Sequence, residues 1–131
     1  MFAASNDFRA AEGRGRLHRD ARLDKAAQDF ADHMARTGRI EHDADGRKPG
    51  ERARAAGYVW CAIAENIAYE FRSSGFATRE LAEAFVEDWK NSAGHRRNLL
   101  DRNVTDIGIG IAMGRRSGHW YAVQMFGKKC R

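Results

Sequence analysis

Residues 105–113 read "TDIGIGIAM". Ile107, Ile109, Ile111 and Met113 alternate with Gly108, Gly110 and Ala112. A two-residue period is that of a β-strand. Glycines along one face of a strand predict that something lies close against its backbone there. "GRRSG", 114–118, reads as a hairpin connection. "HWYAVQMF", 119–126, reads as the returning strand, with Trp120, Ala122, Gln124 and Phe126 on one face and Tyr121, Val123 and Met125 on the other. No helix follows the glycines, so they are not a dinucleotide-binding fingerprint.

Upstream of this hairpin the period is mostly helical. A short helix is predicted over 4–13, capped by Ser5, with Phe8 and Ala11 sharing a face and Gly13 and Gly15 ending it. Asp20 is placed to cap a longer helix. Its stripe is Leu23, Ala27, Phe30 and Met34, and Gly38 stands at the left-handed position beyond its end. Phe30 and Met34 read as core. The loop "RIEHDADGRKPGE", 39–51, holds the only proline, and a short helix in "GERARAAGY" stops at Gly57. "CAIAENIAYEF", 61–71, has no long helical stripe and reads as a short helix or an extended segment leading into a turn at "RSSG", 72–75. Thr78 is the expected cap of a helix over 78–91, on which Leu81, Phe85 and Trp89 recur every fourth residue. "SAGHRRNLL" restarts from Ser92 and puts His95 in a first helical turn. Helices first and a hairpin last predict an α+β domain.

At 131 residues the chain is read as one domain, 1–131. A chain of this size buries roughly two thirds of its unfolded surface, enough for a true core. Its apolar runs fall far short of the ~20 residues needed to cross a bilayer. No charged-then-apolar leader is visible, and the opening "MFAAS" suits a start placed on a mature domain, so the missing leader assigns no compartment. The net charge is +5, but acids and bases interleave, as in "RDARLDKAAQD". That pattern marks a solvated helix face and argues against a dedicated nucleic-acid role. Cys61 and Cys130 make neither a four-cysteine zinc site nor a C-x-x-C redox pair. They are either two separate thiols or a bridge closing about 70 residues, for which chain entropy gives about 4 kcal/mol.

Three separated positions carry the chemistry: His42, Glu65 and His95. Two imidazoles and a carboxylate are the ligand set of an open zinc centre, and equally of a hydrogen-bonded acid–base cluster. The blander reading puts His42 in a solvated loop and His95 at a turn. A Ser92–His95–Glu65 triad is weighed against the absence of any G-x-S-x-G elbow. His18, His33 and His119 read as surface or strand-rim residues.

The order of the motifs resembles a known family. "NDFRAAEGRGRL", "AAQDFADHMARTGRIEH", "ERARAAGY", "AENIAY", "DWKNSAGHRRNLLD", "DIGIGIAM" and "YAVQMFG" follow one another over nearly the whole chain. The series is similar to the CAP superfamily of cysteine-rich secretory proteins, antigen 5 and pathogenesis-related proteins, and most to its compact bacterial SCP-like members. The resemblance implies an α-β-α sandwich with a central antiparallel sheet, and a cavity built from His, Glu, Glu and His. His42 matches the first histidine, Glu65 the first glutamate and His95 the second histidine. The second glutamate falls on Ser92, which weakens a divalent-cation site. Ser92, Asn66, Asn91 and Asn98, with Arg96, are the expected supports. Membership also implies a Cys61–Cys130 disulfide and a secreted or periplasmic monomer. The resemblance further implies a binding module for a lipid, sterol or cell-envelope ligand. The alternatives are a Zn²⁺-dependent or other divalent-metal hydrolase using His42, Glu65 and His95, and a basic surface for an anionic polymer or nucleic acid.

Overall fold

The computed structural model describes residues 1–71 and 78–130. In chain order the elements are α1 (Phe2–Ala11), β1 (His18–Arg19), α2 (Ala21–Thr37), α3 (Pro49–Ala55), β2 (Trp60–Phe71), α4 (Thr78–Lys90), α5 (Ala93–Leu99), β3 (Asp106–Met113) and β4 (His119–Lys129). The strand order is β1-β3-β4-β2. β3, β4 and β2 run antiparallel, and the two residues of β1 add a parallel edge to β3. His18 therefore sits on a strand just ahead of α2 and is exposed, a surface residue.

Each face of β4 has its own core. Tyr121, Val123 and Met125 join Leu23, Phe30 and Met34 of α2 and Ala53 of α3. Ala122 and Phe126 join Leu81, Phe85 and Trp89 of α4 and Leu99 of α5, with Phe2 and Phe8 of α1 alongside. This is the α-β-α sandwich, with the sheet as the shared middle layer. Asp20 caps α2 by accepting from the Arg22 and Leu23 amides, and Gly38 closes it with φ 74°. Gly108 and Gly110 lie directly under α2: a side chain at either would strike the backbone of Leu23 or Ala27. The small face of "GIGIA" is thus a seat for a helix.

Side chains complete both edges of the sheet. Beyond the short β1, the Ile109 amide donates to Asp24 Oδ1 at 2.9 Å, and the Ile111 amide donates to Gln28 Oε1 at 3.1 Å. Gln28 Nε2 returns a bond to the Ile111 carbonyl at 2.8 Å. On the β2 edge, Asn98 Nδ2 donates to the Glu65 carbonyl at 3.1 Å and Trp89 Nε1 to the Ile67 carbonyl at 3.2 Å. Buried backbone groups need such partners, and a strand edge has no second ladder to supply them.

Two local expectations change, for Ser5 and Ser92, and one open choice is decided, for 61–71. Ser5 is no cap: α1 starts at Phe2, and Ser5 lies buried inside it, accepting from Gln124 Nε2 at 2.7 Å. "CAIAENIAYEF" is fully extended, as most of β2. Ser92 stands at the N-cap position of α5 but makes no cap hydrogen bond. The turn at 72–75 and the capping contact of Thr78 lie outside the described residues and side chains. The N-x-x-R pattern near the start has a structural meaning. Asn6 brackets Leu17 with two hydrogen bonds, and buried Arg9 donates to the carbonyls of Gly15, Leu99 and Asp101. Cys61 and Cys130 are joined in a disulfide, their Cα atoms 4.9 Å apart, which fastens the end of β4 to the start of β2.

Candidate functional site

The site straddles the β2 edge. Successive strand residues point to opposite faces, so Glu65 and Asn66 serve different layers. On the α2–α3 side, Glu65 Oε1 meets His42 Nδ1 at 2.8 Å, and Glu65 Oε2 accepts from Arg52 Nη2 at 2.7 Å. The side chains of Arg52 and Glu65 are 2% and 1% exposed. Arg52, from α3, also donates to Asp45 Oδ1 at 2.9 Å, to the Arg47 carbonyl at 2.8 Å and to the His42 carbonyl at 2.8 Å. Its guanidinium centre lies 3.5 Å from the centroid of the Phe30 ring. One arginine therefore neutralises the buried carboxylate and pins the loop that carries His42. An isolated buried charge is costly, and this pair is tolerable because nearly every polar atom in it is matched.

On the opposite side Asn66 begins a buried polar chain. Its Nδ2 donates to the His95 carbonyl at 3.1 Å and to Gln124 Oε1 at 3.4 Å, while its Oδ1 accepts from Asn98 Nδ2 at 3.0 Å. Gln124 carries the chain on to Ser5. These bonds hold the first turn of α5, and with it His95, against β2. Ser92 Oγ lies 2.9 Å from His95 Nδ1, which is why it leaves the helix amides uncapped. Burial lowers the pKa of His95 below its ordinary value, and charge on His42 lowers it further. The two imidazoles thus come from opposite layers and feel each other across the strand edge.

The remaining candidates fall elsewhere. Asn91 Nδ2 turns back to the Glu87 carbonyl at 3.0 Å, closing the end of α4. Arg96 pairs with Glu12 at 3.1 Å and lies over the Phe8 ring, bracing α1. Glu65 bonds His42 and Arg52, so the Ser92–His95 pair has no carboxylate behind it as a triad would. Sequence reasoning missed Arg52. Its signal was an arginine in the first turn of the short helix that follows the acidic "DADG" loop.

The donor chemistry bears on a divalent cation. Among the described residues no three His, Cys, Asp or Glu side chains are grouped to hold a metal ion. Both oxygens of Glu65 are already engaged. Each histidine uses Nδ1 on a neighbour and keeps Nε2 free of any recorded bond. That leaves a pair of imidazole donors, with Glu65 and Ser92 as the outer partners that commonly orient metal-binding histidines.

Comparison with known proteins agrees with this architecture. Residues 2–126 match the CAP family, described as the cysteine-rich secretory protein family, and the chain belongs to it. It is 29% identical over 125 residues to the uncharacterized protein YkwD of Bacillus subtilis; that match takes in 95% of this chain and 44% of the relative. The chain therefore spans less than half of that longer protein. Among solved structures, an extracellular SCP-domain protein of Bacillus anthracis aligns with TM-score 0.78 and 26% identity, over 98% of this chain and 39% of the other. An outer surface protein of Borrelia burgdorferi aligns with TM-score 0.81 over 98% of this chain and 90% of its own, a likeness of fold at 21% identity.

Proposed function

We propose that this CAP domain is a secreted binding module for a lipid, sterol or cell-envelope component, and that it does not turn its ligand over. One observation carries the reading. Glu65, the only carboxylate of the central cluster, has one oxygen on Arg52 and the other on His42. A general base must reach a substrate proton, and Glu65, 1% exposed with each oxygen already held by a neighbour, is not presented to one. The Cys61–Cys130 bridge supports a location outside the reducing cytosol. The test is to extract the protein purified from culture medium, identify bound organic molecules by mass spectrometry, and measure its metal content. A retained envelope or lipid component without stoichiometric metal is the expected result.

The free Nε2 atoms of His42 and His95 favour a second reading, a two-histidine divalent-cation site. A bound cation such as zinc would supply Lewis acidity toward a water or a ligand oxygen. Glu65 and Ser92 would then orient the rings. Zinc-dependent hydrolysis lost in the His42→Ala, His95→Ala double variant would replace the first reading with this one.

A further inference from the structure

Two hollows flank α2 away from the histidine pair. One, of 410 Å³, lies between α2, α3 and the 45–47 turn, and its walls include Lys25, Arg36, Arg47 and Arg52. The other, of 540 Å³, lies between α2 and the β3–β4 hairpin, where Arg36 recurs with Arg115 and Arg116. Arg36 lines both, so the two hollows adjoin at its side chain. Together they hold six cationic side chains against three carboxylates, Asp29, Asp32 and Asp45.

The surplus is available to a ligand. Arg36, Arg115 and Arg116 are exposed and have no acidic partner among the described residues. Arg36 makes one recorded hydrogen bond, to His33 Nδ1 at 3.4 Å. Buried Arg52 lines the first hollow, and its Nε is the only buried side-chain nitrogen or oxygen without a hydrogen-bond partner among the described residues. Guanidinium forks match oxyanions in geometry as well as charge. The ring that contributes to the walls, Phe30, is 1% exposed and lies against Arg52. No aromatic platform is therefore presented for stacking bases, the usual feature of a single-strand nucleic-acid channel.

We propose that the two hollows form one groove for a linear polyanion without bases, with Arg36 at its midpoint. The ligand chemistry is a series of oxyanions on a polar carrier, drawn either from an acidic glycan or from a phosphate polymer. This rests on the binding-module reading and names the ligand class and the face that takes it. A second arginine cluster, formed by Arg14, Arg96, Arg97 and Arg102, lines a shallower surface near α5. There Arg14 is engaged with the Leu100 carbonyl and Arg96 with Glu12. Arg97 and Arg102 make an internal control of equal charge.

The experiment is isothermal titration of the full chain at low salt with polygalacturonate, inorganic polyphosphate and single-stranded DNA of matched charge. Polygalacturonate or polyphosphate should bind, more weakly as salt is added, and preference between them identifies the source. Arg36→Ala should weaken binding about tenfold, the loss of one charge-assisted contact. The Arg115→Ala, Arg116→Ala pair should weaken it in the same direction. The Arg97→Ala, Arg102→Ala pair should bind like the parent, with circular dichroism confirming that all variants fold. Absence of binding, an unchanged Arg36→Ala variant, loss confined to the Arg97/Arg102 pair, or tighter binding of DNA than of either polymer would each overturn the proposal. The binding-module reading would still stand or fall on the extraction and metal analysis.

Discussion

The two halves of the central cluster are built by different rules. On the α2–α3 side Glu65 and Arg52 form a buried ion pair that anchors the half-exposed His42. On the α5 side His95 is half-buried, and its ring has one recorded partner, the Ser92 hydroxyl. The first half holds the loop in place and leaves little freedom. The second is where the pair can respond to protons or to a ligand. The difference shows that one constellation of polar residues can combine a structural lock with an adjustable group, and that the lock is recognised by its buried counter-charge.

The largest expected effect breaks the locked half. Arg52→Met strands Glu65 and Asp45 without their cation, and removal of one member of a buried pair costs about 3–5 kcal/mol. Chemical denaturation should read that loss. A cost below about 1 kcal/mol, the range of exposed pairs, would erase the contrast between the halves. A smaller effect is expected where the halves meet. Asn98→Ala leaves the Glu65 carbonyl and Asn66 Oδ1 short of a donor, which should cost about 1–3 kcal/mol. Amide exchange should quicken along β2 and the first turn of α5 and stay slow in α2. Exchange quickening equally in α2 would show that the two layers share one unit.

The smallest effect sharpens the responsive half. In metal-free protein His95 should titrate below its ordinary value, first because of burial and then because of charge on His42. His42→Gln should move it back upward, as followed by proton NMR. A lowered pKa means that the folded chain takes up this proton less readily than the unfolded chain. The linked stability is complete above the unfolded value of about 6.5 and falls as the pH drops from there toward the lowered value. Ser92→Ala should change stability by no more than about 0.5 kcal/mol while still moving the titration. An unmoved titration in both variants would separate the two histidines.

The parts of this fold visible in the chain are those with an uninterrupted period. The stripe of α2, the four-residue recurrence of Leu81, Phe85 and Trp89, and the alternation at 107–113 all depend on one buried face, and each element forms where its period predicts. β2 stayed undecided between short helix and extended segment because both of its faces carry polar residues: Glu65 goes into an ion pair and its neighbour Asn66 into a hydrogen-bonded chain. Alternation in hydropathy vanishes when polar groups are satisfied inside. Arg52 escaped for the same reason, since its burial is a product of partners that lie 7 and 13 positions away in the chain. Ser5 suited a helix cap by type and became an internal acceptor because α1 begins three residues earlier. His42, Glu65 and His95 were singled out by residue type and motif order; their arrangement on either side of a strand edge had no counterpart in spacing.

The fastening of β3 by Asp24 and Gln28 has a consequence beyond the native fold. The amides and carbonyl that these two residues occupy are the groups through which a neighbouring molecule's strand would add to the sheet. With them taken by a helix that rests on bare glycine backbone, that rim offers no template for cross-chain pairing, so fibril growth from it would first require α2 to lift away.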